Sequence, residues 1–235
     1  MKIYSIACTR DKDISGSSLK YENFCKMVGV DHKWLVGEKS IFDAYEREII
    51  NFLNDPKIKE DDVLILCHDD IEIWDNPIDF FDSLKIATLD DTGFVGVAGT
   101  TFLDKDSVWW DLNRRKAGYH RGFVWQGTDR FNFYPNQFGP PGRVCVLDGC
   151  FLAASFRTLR RLYEADRLKK PFNFTGDWDF YDLHYTMTAH ELGLKNMAVS
   201  IHILHNSRGE LAGRTSWHEN RKAFISNNNL PVIVK

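Results

Sequence analysis

The sequence lacks several features that would assign it to a function class directly. No run of about 18 apolar residues occurs, so no membrane-spanning helix is predicted. The formal net charge of -3 is not the strongly positive balance of proteins that bind nucleic acid by electrostatics. No Gly-x-x-x-x-Gly-Lys-Ser/Thr phosphate loop is present. No repeat, low-complexity segment or linker divides the 235 residues, so we predict one domain without nucleic acid as a partner.

Cysteine is scarce and unpatterned. The chain has five cysteines, an odd number, and none of them forms a Cys-x-x-Cys pair. We therefore expect reduced thiols in the core and a cytoplasmic location. The first ten residues, "MKIYSIACTR", combine a short apolar run with charge, which is typical of a first strand and not of a signal peptide.

Strand and helix patterns alternate through the first hundred residues. Apolar runs at 3–7, 32–36 and 63–66 predict strands, and apolar residues at spacings of three and four after Ser40 predict a helix that ends at Asp55-Pro56. This alternation predicts an α/β fold with a mainly parallel, doubly wound sheet flanked by helices. Further strands are expected in "GFVGVAGT", "VCVLDGCFLAAS" and "MAVSIHILH", and helices at 21–29, 77–87, 156–168, 180–192 and 214–227. Residues 104–143 predict long loops and hairpin strands.

Acidic residues follow the most apolar of these strands. Residues 63–74 read "VLILCHDDIEIW". If the chain stays extended, Asp70 and Glu72 point the same way. Carboxylates this close repel each other unless a cation or protons neutralise them, and Mg²⁺ is typically held by one or two carboxylates together with substrate phosphates. The pattern favours a metal-diphosphate site over the simpler alternative, a polar strand end that faces water.

Five segments resemble the GT-A glycosyltransferases, in the small family-2-like branch whose DXD-like metal motif reads His-x-Asp-Val. The first two are "GEKSIFDAYEREI", with Glu46 where that branch usually has Asn, and "VLILCHDDIEI". "VLDGCFLAAS" follows, and then "FYDLHYTMTAHELG", in which His184 stands where a second acid is common. The last is "ILHNSRGE" with "WHENRKAF". These segments occur in family order from residue 37 to 224, which is nearly the whole chain.

The resemblance implies a Mn²⁺ or Mg²⁺ cofactor. Asp70 is the expected ligand, with His205 completing the site. Whether Asp69 or Glu72 joins Asp70 stays open, because the usual spacing favours Glu72 and two adjacent acids favour Asp69.

The resemblance also implies donor and catalytic residues. In a single GT-A domain, residues 1–100 would form the nucleotide-sugar-binding half and 101–235 the acceptor and catalytic half. The expected nucleotide-sugar contacts are Ala7, Cys8, Thr9, Arg10, Ser40, Tyr45, Asp69 and Asp148. Asp182 is the expected base of an inverting reaction, with Asp179 and Asp177 as rivals. Trp109, Trp110, Trp125 and Tyr134 offer rings on which an acceptor sugar could stack.

The predicted function is a metal-dependent hexosyl- or deoxyhexosyltransferase. It would move a sugar from a nucleotide-diphospho-sugar of the UDP type to a glycan or other hydroxyl acceptor. Two alternatives remain: a metal-dependent nucleotidyltransferase or phosphohydrolase, since paired carboxylates also serve phosphate chemistry, and a non-catalytic carbohydrate-binding protein that uses the tryptophans.

Overall fold

The computed structural model of the protein describes residues 1–10, 12–127, 131–207 and 214–234. The strands are β1 (Ile3–Thr9), β2 (Asp31–Val36), β3 (Val63–Cys67), β4 (Ile71–Ile73), β5 (Thr92–Gly96), β6 (Ala98–Thr100), β7 (Phe102–Leu103), β8 (His120–Gly127), β9 (Phe133–Gly139), β10 (Gly142–Val144), β11 (Val146–Leu147), β12 (Phe151–Ser155), β13 (Lys195–Ala198), β14 (Ile203–His205) and β15 (Val232–Ile233). The α-helices are α1 (Gly16–Val28), α2 (Ile41–Leu53), α3 (Pro77–Leu84), α4 (Leu112–Lys116), α5 (Phe156–Glu164), α6 (Tyr181–Glu191) and α7 (Thr215–Asn227), and a 3₁₀ helix covers Lys85–Thr88.

A seven-stranded sheet, the main sheet, forms the centre of the molecule in the order β10-β13-β5-β12-β3-β1-β2. Strands β2, β1, β3, β5 and β13 run in one direction, and β12 and β10 run against them. The expected α/β architecture is therefore present, with a mixed sheet. Strands β3 and β12 are buried at every position, as continuous apolar runs predict for strands that are covered on both faces.

A second sheet continues several strands of the main sheet beyond a kink. Its order is β11-β6-β8-β14-β4, with β9 paired to β8. Four chain segments each supply both sheets: β3 leads into β4, β5 into β6, β10 into β11, and β13 into β14. The prediction of one strand in "GFVGVAGT" and one in "MAVSIHILH" is thus wrong, because each run changes sheet at its middle. The kinks after β3, β5 and β13 lie at the carboxyl ends of parallel strands.

Most helices follow their sequence patterns, but the helix expected at 156–168 ends at Glu164, and α4 lies where only loops and hairpin strands were expected. Ser40 caps α2 as expected, since its hydroxyl accepts a hydrogen bond from the Asp43 N–H at 3.2 Å. The helix expected at 21–29 begins earlier, at Gly16, because polar Ser17, Ser18 and Lys20 make its first turns and hide the apolar periodicity. The helices expected at 180–192 and 214–227 appear with ends within one residue of the prediction.

One hydrophobic core cluster draws on the whole length of the described chain. The main sheet interleaves strands from residues 1–100 with strands from residues 101–235, so the two expected halves share a sheet. All five cysteines are buried and unpaired, as expected for core thiols. Within the described ranges, no helix combines the length and the apolar character required to cross a bilayer.

Candidate functional site

The carboxyl ends of two central strands open onto a cavity. Ala7 of β1 pairs with Cys67 of β3, so the segments 8–10 and 68–70 leave the main sheet at the same edge. A cavity of about 480 Å³ lies there. Its lining includes six residues expected at the donor or metal site: Cys8, Thr9, Arg10, Tyr45, Asp69 and Asp70. The remaining lining residues are Ile41, Cys67, His68, Trp178, Tyr181, Ser207 and Arg214.

Two histidines and one carboxylate form a compact cluster beside this cavity. His68 and Asp70 come from the kink between β3 and β4, and His205 ends β14, where it pairs with Ile71. His68 Nδ1 lies 3.3 Å from His205 Nε2. Asp70 Oδ1 lies 3.3 Å from His205 Nε2 and 3.9 Å from His68 Nδ1. The three ligand atoms thus face one another across a small space.

The geometry and chemistry of this His68–Asp70–His205 cluster fit a divalent cation. Ligand atoms about 2.1 Å from one cation lie about 3.0 Å apart at right angles and about 3.4 Å apart at a tetrahedral angle, close to the separations found here. Asp70 Oδ1 is buried and, among the described residues, receives no hydrogen bond of good geometry. A buried anionic oxygen in that state is unusual, and a cation would satisfy it. Imidazole nitrogens and a carboxylate are common ligands of Mn²⁺ and Zn²⁺.

Asp70 and His205 stabilise each other's charged forms, whereas His68 is kept neutral. Burial opposes ionisation of Asp70, yet contact with His205 and the nearby His68 hold the pKa of Asp70 below its usual range. Burial likewise opposes protonation of His205, but Asp70 raises the pKa of His205 above its usual range. Burial, followed by the neighbouring His205, lowers the pKa of His68. His68 is therefore neutral at pH 7 and has a lone pair available.

His68 is also bound on its other side. His68 Nε2 lies 3.1 Å from the Tyr181 hydroxyl, and that hydroxyl donates to the Gly149 carbonyl at 2.8 Å. The main-chain N–H of His68 donates to the Cys150 carbonyl at 3.1 Å. The turn at 148–150 thus supports both the backbone and, through Tyr181, the ring of His68.

Asp69 and Glu72, the two candidates to join Asp70, occupy different environments. Asp69 lines the cavity, and its backbone carbonyl accepts a 2.6 Å hydrogen bond from Ser18. Burial, with a smaller contribution from Asp70, raises the pKa of Asp69. Glu72 is buried on the other side of β4, where Lys20 Nζ lies 2.8 Å from its Oε2 and Ser17 donates to Oε1 at 2.9 Å. Only Asp69 lies on the cavity.

Asp182 lies at the start of α6, directly after Tyr181. Its Oδ2 accepts a hydrogen bond from the Gly149 N–H, and its Oδ1 accepts one from the Leu183 N–H, both at 2.9 Å. Burial raises the pKa of Asp182 to about 7, and the nearby charge of Asp148 is the second cause of this increase. A carboxylate with that pKa exchanges a proton readily at neutral pH. Asp148 itself accepts the Cys150 N–H at 2.9 Å.

Four other predicted site residues lie in the core or make structural contacts. Asp179 is buried and bound to α7 by Arg214 at 3.1 Å and Ser216 at 3.0 Å. Ala7 is fully buried within β1. Ser40 caps α2, as described above. Asp177, the rival of Asp182, pairs with Lys170 at 2.6 Å.

The expected aromatic platform is divided between the core and the surface. Trp109 is only 2% exposed and packs in the core. Trp125 pairs with Leu204, and its ring packs against Trp74, with ring centroids 5.9 Å apart. Tyr134 is 55% exposed; it pairs with Gln126, which in turn pairs with His205. Directly paired residues share a sheet face, so Tyr134 lies on the same face as His205.

Seven of the residues that line the cavity were not among the predicted site residues, and four of them carry polar or aromatic groups used below: His68, Tyr181, Trp178 and Arg214. His68 was visible in the sequence as the residue that directly follows the buried strand. Tyr181 and Trp178 belong to "GDWDFYD", in which three acids are the more obvious candidates for a chemical role. No local pattern around Arg214 would have identified it.

Comparisons with known proteins bear on the fold. No protein-family model and no curated protein matches the chain. The crystal structure of A197 from STIV matches with a TM-score of 0.51 and 12% identity, over 85% of this chain and 82% of that chain. The crystal structure of a glycosyltransferase involved in the glycosylation of the major capsid of PBCV-1 matches at 8% identity, over 97% of this chain and 100% of that chain, with a TM-score of 0.36. The first likeness shows a similar fold; the second is too weak to support an argument.

Proposed function

We propose that the protein is a metal-dependent glycosyltransferase of the GT-A type that uses a nucleotide-diphospho-sugar. The observation that carries this proposal is the His68–Asp70–His205 cluster at the mouth of a cavity of about 480 Å³, at the carboxyl ends of parallel strands. The five sequence segments that resemble the GT-A glycosyltransferases support the same reaction, because they include every residue of this cluster.

The cluster is the proposed site of the Mn²⁺ or Mg²⁺ cofactor. A cation bound there would supply Lewis-acid stabilisation of the negative charge that develops on the leaving diphosphate. Two imidazoles beside one carboxylate favour Mn²⁺ over Mg²⁺, since Mg²⁺ prefers oxygen ligands. Asp69 also lines the cavity, and we assign it, in preference to Glu72, to the donor or to water around the cation.

The cavity is the proposed donor site. Arg10 and Arg214 supply positive charge for a diphosphate, and Thr9 and Ser207 supply hydroxyls within the same lining. Trp178 supplies a ring against which a base could pack, whereas Tyr45 is fully buried beneath the cavity and its hydroxyl donates to the Cys67 carbonyl. A UDP-type donor fits these groups, and the acceptor would approach from the side of Tyr134.

Asp182 is the proposed general base. In an inverting transfer, the bond between the sugar C1 and the diphosphate oxygen breaks and its electron pair leaves with the nucleoside diphosphate. The acceptor oxygen bonds to C1, and its proton passes to the Asp182 carboxylate. The pKa of about 7 leaves a substantial fraction of Asp182 ionised at neutral pH.

Calorimetric titration of the metal-free protein with Mn²⁺, and then with UDP in the presence and absence of Mn²⁺, tests the donor site. Incubation with a panel of nucleotide sugars, followed by chromatography of the released nucleotide, tests the reaction. We expect Mn²⁺-dependent UDP binding and slow release of nucleoside diphosphate, both abolished by a chelator. Release of nucleoside monophosphate would indicate a phosphohydrolase, and glycan binding without any nucleotide binding would indicate a carbohydrate-binding protein; either result overturns the proposal.

A further inference from the structure

We infer that Tyr181 is a positioning residue that fixes the tautomer of His68 and so presents the lone pair of His68 Nδ1 to the cation. This inference rests on the proposed cation site. It goes beyond that site because it assigns a role to a residue that does not itself contact the cation.

The assignment follows from counting protons. A tyrosine hydroxyl has one proton to donate. The Tyr181 hydroxyl lies 2.8 Å from the Gly149 carbonyl, which can only accept, so that proton belongs to this bond. The contact of 3.1 Å with His68 Nε2 is then a hydrogen bond only if Nε2 carries a proton and donates it to the tyrosine oxygen. A neutral ring with its proton on Nε2 has a bare lone pair on Nδ1.

That lone pair faces the other ligand atoms. His68 Nδ1 lies 3.3 Å from His205 Nε2 and 3.9 Å from Asp70 Oδ1. The opposite tautomer would point an N–H into the same space and exclude a cation from it. A hydrogen bond to the remote ring nitrogen is the usual way in which a metal-binding histidine is oriented. Here that partner is a hydroxyl, where a carboxylate or carbonyl is more common.

Tyr181 is held firmly enough for this role. It is only 3% exposed, and its ring packs against Tyr45 with centroids 5.7 Å apart. The preceding residue, Phe180, has a left-handed backbone with φ of 71°. Such a conformation is unfavourable for a non-glycine residue and persists only where surrounding contacts enforce it. This backbone turns the start of α6 so that Tyr181 reaches both Gly149 and His68.

The test compares Tyr181→Phe with Tyr185→Phe. Tyr185 lies one turn further along α6, is also fully buried, and donates its hydroxyl to the Leu168 carbonyl at 3.0 Å. Both variants lose one buried hydroxyl, but only the first loses a partner of His68. Two measurements are made: ¹⁵N NMR of the histidine rings in the metal-free protein, which reports the tautomer, and calorimetric titration with Mn²⁺. Circular dichroism verifies that each variant is folded.

In the wild type we expect His68 with its proton on Nε2. In Tyr181→Phe we expect a mixture of tautomers and an affinity for Mn²⁺ lower by about 10- to 100-fold. Tyr185→Phe should match the wild type in both respects. In a His68→Ala background, Tyr181→Phe should cause no further loss of affinity, because its effect passes through His68.

The inference is overturned if wild-type His68 carries its proton on Nδ1, or if Tyr181→Phe binds Mn²⁺ as tightly as the wild type. A wild type that binds no Mn²⁺ would instead refute the cation site itself. The titration of the wild type and the comparison of the variants therefore distinguish the two failures.

Discussion

Lys20 and Glu72 form the ion pair that joins α1 to β4, with Lys20 Nζ 2.8 Å from Glu72 Oε2. Ser17 of the same helix donates to the other carboxylate oxygen at 2.9 Å. Burial opposes the ionisation of Glu72, but Lys20 and Ser17 hold the pKa of Glu72 below its usual range. Glu72 is thus already neutralised by a residue of the chain.

We predict that Glu72→Gln binds Mn²⁺ as tightly as the wild type and is less stable by about 1 kcal/mol, since it loses one ion pair with a partly exposed lysine and weakens one buried hydrogen bond. Calorimetric titration and urea unfolding measure the two effects. A tenfold or greater loss of Mn²⁺ affinity would instead return Glu72 to the metal site.

Asp70→Asn is predicted to behave in the opposite way to Glu72→Gln: it should lose the cation site but keep its stability. It removes the only anionic member of the cluster, so UDP binding should become independent of Mn²⁺ while thermal unfolding changes little. Asp82→Asn is the matched control, because Asp82 is an exposed carboxylate that pairs with Lys85 at 2.6 Å. Persistent Mn²⁺-dependent UDP binding in Asp70→Asn would mean that the cation site lies elsewhere.

Asp182→Asn should reduce turnover by about 10²- to 10⁴-fold, the usual contribution of a general base, with the affinity for the donor nearly unchanged. A base must be ionised, so the wild-type rate should rise with pH and level off above pH about 7, where Asp182 has lost its proton. A large loss of donor affinity in this variant would reassign Asp182 to donor binding.

The variant Asp148→Asn tests why the pKa of Asp182 is raised. The charge of Asp148 helps to raise the pKa of Asp182. Removing the charge should therefore move the midpoint of the pH–rate profile to lower pH, measured with saturating donor and Mn²⁺. An unchanged midpoint would show that the profile reports another group.

The raised pKa of Asp182 also has a consequence for stability. The folded protein binds this proton more tightly than the unfolded chain, whose aspartates titrate near pH 4. Between about pH 4 and pH 7 the free energy of unfolding should therefore decrease as pH rises, as far as Asp182 contributes. Urea unfolding of the wild type and Asp182→Asn across this range isolates the contribution, which the variant should lack.

Gly149→Ala is predicted to weaken both the cation site and catalysis. A Cβ at residue 149 would overlap the Tyr181 hydroxyl and lie 2.9 Å from the Asp182 Cβ. Tyr181 would have to move away from His68, and Asp182 away from the Gly149 N–H. Mn²⁺ affinity and turnover should both fall, whereas Asp182→Asn should lower turnover alone. Unchanged Mn²⁺ affinity in Gly149→Ala would show that Tyr181 is not required in its present position.

Most of the α/β architecture could be predicted from apolar runs and helical periodicity. The division of "GFVGVAGT" and "MAVSIHILH" into two strands each could not, because a run that is buried on both sides of a kink looks like one longer strand. The start of α1 at Gly16 could not be predicted from apolar spacing for a related reason. Its first turn faces Glu72 and Asn206 rather than an apolar surface, so apolar spacing does not mark it.

The contacts of the candidate site were also only partly predictable from the sequence. Proximity of residues 8–10 to 68–70 follows from adjacent parallel strands and was predictable. The ion pair of Glu72 with Lys20 was not predictable, because Lys20 lies 52 positions away on a helix whose orientation no local pattern reveals. The same holds for Tyr181, whose link to His68 spans 113 positions.

The distance in sequence between His68 and His205, 137 positions, has a kinetic consequence. A refolding chain that has formed β1 to β3 possesses one imidazole and one carboxylate of the cluster, and the third ligand arrives only when β14 pairs with β4. Long-range pairings of this kind form late, since closing a long loop is entropically costly. Uptake of Mn²⁺ during refolding should therefore mark the completion of the second sheet, well after the first strands of the main sheet have assembled.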